Sequence, residues 1–284
     1  MKHYWHFLRL QWPLIAFGFA TVFWGNLGQS FFLAWYGASI QHTLQLTAAN
    51  YGLVYALATL ASGLLIMAAG GLIDRWPLQR FSLMVSAGLC VGCLVMAGSQ
   101  SLLGLALAIF LLRLCGQGLM PHTAQTTMAR FFSSNRGKAV SLSASGVPLG
   151  EVLLPSLAVW LILLIGWQQS WLVFALSIPL LYIPLNLWLL RKAGHGGQLK
   201  LPDTEKAQFS HSSRRHVLKD WRFWCVLPSV LAGPFLLTGV FIQQNYVLEA
   251  KGWSSAWLAT SFIGYGVMHW LINIAVVYQP KFKR

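Results

Sequence analysis

Two ionisable side chains lie where the surrounding sequence is least able to carry them: Arg113 within the apolar run 101–122, and Glu151 within the run 138–165. At 1.5 Å per helical residue each falls roughly 18–20 Å from the start of its run, near the middle of an apolar layer about 30 Å thick. A charge at that depth costs at least about 2.5–3.5 kcal/mol, so each must face water or a partner. Two chemistries satisfy this. The residues form a structural ion pair between neighbouring antiparallel helices, or they line a pathway. On the second, Arg113 anchors a carboxylate and Glu151 takes up a proton or balances Arg113. Both hold together if an incoming anion breaks the pair.

Weaker signals accompany them. Asn26 and Gln29 are three residues apart, Gln117 stands one turn from Arg113, and Tyr51, Tyr55 and Thr59 repeat at four, as do His269 and Asn273. Such spacings put side chains on one helical face. Each alone serves as an interhelical hydrogen bond, but polar stripes on several apolar segments favour a solvated centre. Gly146 and Gly150 form a small-xxx-small face for close backbone approach. Pro148 and Pro155, beside them, lack amide donors and are expected to bend or loosen the helix. Pro228, Gly233 and Pro234 repeat that pattern later in the chain.

The elements that position these groups follow from composition. The 284 residues are 56% hydrophobic and 9% charged, with mean hydropathy +0.59, whereas a soluble domain carries about 25% charged residues. Lipid as solvent removes the problem of covering so much apolar surface. Backbone groups in lipid must bond within their own segment, so each long run reads as a helix. The runs 12–36, 49–70, 81–98, 101–122, 138–165, 170–190, 223–245 and 253–277 predict eight spans. The expected fold class is an all-α polytopic membrane protein.

Charge in the connections orients these spans. Lys2 and Arg9 precede the first; Asp74, Arg75 and Arg80 follow the second; Arg130, Arg136 and Lys138 follow the fourth. The stretch after the sixth holds eight Lys and Arg from Arg191 to Arg222, and Lys281, Lys283 and Arg284 end the chain. The intervening connections hold only Lys251. Positively charged loops stay cytoplasmic, so both termini and the long central loop are expected in the cytoplasm.

Several classes are excluded by the same facts. The net charge of +14 does not mark a nucleic-acid binder, because Lys and Arg sit in short loops between apolar runs. Cys90-Val-Gly-Cys93 has CxxC spacing but lies in an apolar run without a second pair, so no metal or redox site is expected. The first apolar run is too long for the core of a cleaved leader and reads as a retained span. An enzyme would need clustered Asp, His or Cys near an interface, and His122 stands alone; no cofactor is expected. Trp35 with Tyr36, Trp167 with Trp171, Trp221 with Trp224, and Trp253 with Trp257 fall near span ends and read as interfacial belts.

Gly70-Gly71-Leu72-Ile73-Asp74-Arg75, directly after the second span, resembles the loop signature of the major facilitator superfamily. Arg113-Leu114-Cys115-Gly116-Gln117-Gly118 is similar to that family's Arg-x-x-x-Gln-Gly element, and Gly146, Gly150 and Pro155 to its fifth helix. The resemblance implies a secondary transporter working by alternating access, with a bilayer around it and a small solute, with or without a proton, as its ligand. Gly70, Asp74, Arg75 and Arg80 would form the cytoplasmic gating loop. Arg113, Glu151, Asn26, Gln29, Gln117 and Tyr55 would line the pathway, and Gly146, Pro148, Gly150 and Pro155 the packing and hinge positions. Its nearest likeness is to prokaryotic monocarboxylate and organic-anion members, which implies a bacterial inner membrane; drug exporters are also similar.

The chain departs from the family pattern in three ways. Trp76-Pro77-Leu78-Gln79-Arg80 lacks the usual Gly and paired basic residues, Glu151 stands where small residues are usual, and the family's twelve spans would continue past Arg284. The organisation expected is a six-helix bundle over 1–190, a cytoplasmic linker over 191–222 and the start of a second bundle over 223–284. A truncated, inactive remnant or a non-transporting scaffold is the alternative. A complete carrier is expected to be a monomer, and an active truncated chain to need self-association or a partner.

Overall fold

The computed structural model describes residues 2–132, 135–194 and 218–277. The centre of the expected linker, 195–217, and the tail from 278 lie outside the described residues. The first stretch holds α1 (Lys2–Gly25), a 3-10 turn (Asn26–Gly28), α2 (Ser30–Ala34), α3 (Gly37–Leu44) and α4 (Ala48–Ala69). A second 3-10 turn (Gly70–Asp74), α5 (Leu78–Ala97), α6 (Leu102–Leu111), a π-helical turn (Leu112–Leu119) and α7 (Met120–Phe131) follow. Then come α8 (Arg136–Ala144), α9 (Gly146–Ile165), α10 (Trp167–Ser177), a second π-helical turn (Ile178–Tyr182) and α11 (Ile183–Lys192). The last stretch holds α12 (Trp221–Ile242), α13 (Gln244–Lys251) and α14 (Ser255–Val277).

Six helical stretches among the described residues are long and apolar enough to cross a membrane: Ala48–Asp74, Leu78–Ala97, Leu102–Phe131, Arg136–Ile165, Trp167–Lys192 and Trp221–Ile242. α1 and α14, the other two of the eight expected spans, are helices of 24 and 23 residues. α4 illustrates how such a helix sits. Leu53, Leu57, Leu60 and Leu64 are more than half exposed on one face, while Tyr51, Tyr55, Ala58 and Ser62 are buried on the other. The outer face is the more apolar, as expected where hydrocarbon replaces water. α12 goes furthest, with none of its most apolar window buried.

Local chemistry starts and stops these helices. The Thr47 side chain accepts from the Asn50 amide before α4, and Ser101 from the Gly104 amide before α6. Asp220 accepts from the Arg222 amide at 2.9 Å before α12. Such caps satisfy amides that have no partner in the first turn. Gly166 turns the chain between α9 and α10 at φ +83°, a conformation that favours glycine.

Two expectations require correction. The run 12–36 is not one helix: it breaks at Asn26–Gly28, and Gln29 is extended (φ −76°, ψ 149°). Asn26 and Gln29 therefore do not share a helical face. Pro148, expected to bend or loosen its helix, falls where the helix of the run 138–165 breaks. It stands in the first turn of α9, where no intrahelical amide is needed, and it coincides with the break from α8 at Ser145. Pro155 lies inside α9, which continues through it to Ile165. Trp35, Tyr36 and Trp171, read as interfacial, are buried instead. Tyr36 and Trp171, with rings 4.8 Å apart, pack with Phe32 and Phe174, and Trp35 packs on Phe262 at 5.5 Å. Edge-on aromatic packing draws these rings inward, where they close the bundle at the end away from Gly70–Asp74.

A buried polar network ties α1, α5 and α11 together. Asn186 donates to Ser82 Oγ at 2.7 Å and to the Tyr182 hydroxyl at 3.0 Å. Tyr182 donates to Thr21 Oγ1 at 3.0 Å, and Thr21 to the Phe17 carbonyl at 2.7 Å. Asn186→Leu leaves the Ser82 and Tyr182 oxygens with one donor fewer. We expect a loss of about 1–3 kcal/mol, read as a lower thermal midpoint in detergent.

Candidate functional site

Arg113 stands in the π-helical turn, where one residue too many per turn displaces the ladder and re-aims side chains. The residue is 6% exposed. Nη1 donates to Ser30 Oγ at 2.9 Å and reaches the Gly28 carbonyl at 3.4 Å. The Tyr55 ring lies 5.3 Å from Cζ, a cation–π distance. Nε has no hydrogen-bond partner, and neither have the buried Gln117 Oε1 and Thr59 Oγ1. The break in the first span makes this possible. At Gly28 the backbone turns against the π-helical turn, and a Cβ there would stand 1.9 Å from the Leu112 carbonyl oxygen. Gly116 answers from the other side, where a Cβ would meet Gly28 Cα at 2.8 Å. Two glycines thus bring the Gly28 carbonyl and Ser30 hydroxyl to the arginine.

Glu151 takes a different partner from the one its depth suggested. Its Oε2 lies 2.7 Å from His269 Nδ1, and no ion pair with Arg113 occurs among the described residues. The ion-pair reading therefore gives way to two separate charged sites. Glu151 is 4% exposed. Asn26 lies between the sites. Its amide donates to the Gly146 carbonyl at 2.9 Å, and a Cβ on Gly150 would stand 1.9 Å from Asn26 Nδ2. The turn Asn26–Gly28 thus touches the Glu151 helix at one end and Arg113 at the other.

At the loop end, Asp74 pairs with Arg130, which also reaches the Ile73 carbonyl. His122 Nε2 contacts the Gly70 carbonyl at 3.1 Å. These residues line a cavity of about 440 Å³ that includes Ile66, Met67 and Thr126. Arg75, directly after the Gly70–Asp74 turn, and Arg80, in the first turn of α5, are exposed. The pair holds the loop after α4 to the end of α7, and in solvent such pairs contribute about 0–1 kcal/mol.

The model of the Major Facilitator Superfamily matches residues 12–279. The chain belongs to that superfamily. No curated protein matches it. As a superfamily member it is of the secondary-transporter class, a multi-pass membrane protein and not an enzyme. Within this superfamily bundle Tyr55 faces the Arg113 guanidinium, Gln117 stands on the same π-helical turn as Arg113, and Asn26 donates to the Gly146 carbonyl. Gln29 is half-buried at the start of α2.

Three partners escape a reading of the sequence. Ser30 carries no signal, because a serine in an apolar run is ordinary and only the break in the helix turns it to Arg113. Arg130 reads only as loop charge, and its pairing with Asp74 depends on how the helices cross. His269 is visible as part of a stripe with Asn273, but its link to Glu151 spans 118 positions.

Proposed function

We propose that this superfamily member carries a small organic anion, a carboxylate, across a bacterial cytoplasmic membrane by alternating access, coupled to protons. The observation that supports it is the state of Arg113: a buried guanidinium with an unpartnered Nε and, among the described residues, no carboxylate of its own. The chain has six Asp and Glu in all. Asp74 is on Arg130 and Glu151 on His269, while Asp220 and Glu249 are exposed. A charge left unpaired at this depth is costly, and an anionic substrate supplies the missing partner. A drug cation would meet repulsion at the same point.

On this reading all eight helices span the bilayer, with both termini cytoplasmic, and residues 191–222 link a six-helix bundle to the spans after it. Asp74 parts from Arg130 when the inner mouth opens, with Arg75 and Arg80 beside it; Gly146 and Gly150 let α1 slide close to α9. The bare flank of α12 is walled by a second copy or another polypeptide in the active form. The test is flux of labelled organic anions and cationic drugs into proteoliposomes, with and without a proton gradient. Gradient-dependent anion flux, absent in Arg113→Gln, is the expected result. Flux of cations only would overturn the substrate class. No flux of any compound from folded, inserted protein would favour the non-transporting alternative.

A further inference from the structure

α1 begins and α11 finishes at the end of the bundle that carries Gly70–Asp74. α11 closes there with Arg191 and Lys192 in its last turn. The Lys192 side chain does not run straight out into water. Its Nζ lies 4.8 Å from the centroid of the Trp12 ring on α1 and 4.9 Å from that of Trp188 on α11. The two indoles are 5.8 Å apart and inclined at 53°. They form a wedge that the ammonium caps, both rings at cation–π distance. Trp12 and Trp188 are exposed, as are Arg191 and Lys192. Among the described residues no ion pair includes Lys192 or Arg191. The ammonium is thus fixed in place by two rings, and the protein gives it no carboxylate.

An apolar track leads away from this wedge. Pro184 and Leu181 follow Trp188 at intervals of four and three, and both are exposed. On α1, Ala16, Phe19 and Phe23 follow Trp12 at four, three and four, and all are half-buried. Such intervals keep side chains on one helical face. Two apolar faces therefore lie beside each other, with fixed positive charge at one end. We propose that this cleft between α1 and α11 binds an anionic phospholipid, its headgroup phosphate on Lys192 and Arg191 and an acyl chain along the track. The inference goes beyond the proposed function and does not rest on it.

Charge decides the class of lipid. Basic pockets between spanning helices hold acidic headgroups, and indole rings favour the headgroup level of a bilayer. Asp74, an acid at the same end, is already on Arg130 and does not serve Lys192. A bare pair of indoles would suit the trimethylammonium of a choline headgroup. Here the protein's own ammonium fills that place and repels a second cation. What the wedge then offers outward is a positioned positive charge with N–H donors, to which a phosphate oxygen is the complement.

The test is native mass spectrometry of the purified chain in detergent, titrated with phosphatidylglycerol or with phosphatidylcholine of the same acyl chains. Thermal midpoints of all variants are measured alongside to show that each is folded. We expect a saturable phosphatidylglycerol site that phosphatidylcholine does not fill. Lys192→Gln should weaken it roughly fivefold, the scale for one basic residue at a membrane surface. Lys192→Arg should keep it, because a guanidinium carries the charge and also packs on aromatic faces. Lys219→Gln, which removes an exposed basic residue from the connection after α11, is the control and should bind as the unsubstituted chain does. Equal loss in Lys192→Gln and Lys219→Gln would show diffuse attraction without a site and overturn the proposal, as would equal binding of the two lipids. Trp12→Leu combined with Trp188→Leu leaves every charge in place and should also weaken binding; an unchanged affinity there would contradict the wedge. Inorganic phosphate that displaces the lipid at equal concentration would mark a site for a free anion and overturn the assignment to a phospholipid.

Discussion

Arg113→Gln should weaken binding of a carboxylate substrate by roughly 30-fold or more, the equivalent of about 2 kcal/mol or more, the scale for removing one partner of a buried, hydrogen-bonded charge pair. Nη1 is committed to Ser30 and the Gly28 carbonyl, while Nε is free. One edge of the planar group is held by protein, and the donor left over faces an acceptor the protein does not supply. Arg113→Lys should recover only part of the affinity. An ammonium keeps the charge but lacks the fork that bonds the protein and a carboxylate at once. Tyr55→Leu should cost less, about 0.5–2 kcal/mol, because it removes the ring facing Cζ but leaves the charge. Equilibrium binding of a labelled carboxylate to purified protein checks the order Gln, then Lys, then the Tyr55 substitution, from largest loss to smallest. Equal affinity in Arg113→Gln and the unsubstituted chain would show that Arg113 is not the anchor.

The other large effect is steric. Gly28→Val should destabilise the bundle by about 3 kcal/mol or more, at the upper end for overpacking. A Cβ at Gly28 meets the Leu112 carbonyl oxygen at 1.9 Å and the Gln117 amide nitrogen at 2.8 Å. Both are backbone atoms, and neither can swing aside as a side-chain terminus would. The segments must separate, which takes Ser30 and the Gly28 carbonyl away from Arg113. Yield and thermal midpoint in detergent measure the loss. Gly63 on α4 is the matched control, since a Cβ there meets nothing within 4 Å. Gly63→Ala should be neutral or slightly stabilising, because alanine costs less than glycine within a helix.

These two positions show what can be read from residue order alone. Arg113 and Glu151 stand out because a charge in a long apolar run has a depth as well as a type. The helices stand out for a similar reason: lipid leaves the backbone few alternatives, so apolar length translates directly into helix. Partner choice does not stand out. Glu151 and Arg113 lie at similar depth on neighbouring segments, and pairing them is the economical reading. Which faces meet depends on the break at Asn26–Gly28 and on the π-helical turn, and neither has a strong local signature. Gly28 and Gly116 are each ordinary residues of an apolar helix until packing gives them a role. The aromatic cluster is a similar case. Trp35, Tyr36 and Trp171 sit near span ends as interfacial residues do, and only the inward rotation of their helices buries them.

The anion site is tested most directly by measuring, on the purified chain, the affinity of a labelled small carboxylate against that of its primary amide, identical in shape and lacking the charge. Arg113→Gln is measured alongside. We expect the carboxylate to bind at least about 10-fold more tightly than the amide to the unsubstituted protein, a gap of about 1.4 kcal/mol, and the gap to close in Arg113→Gln. Equal affinity for acid and amide, or a preference that survives without Arg113, would contradict an anion site at this arginine.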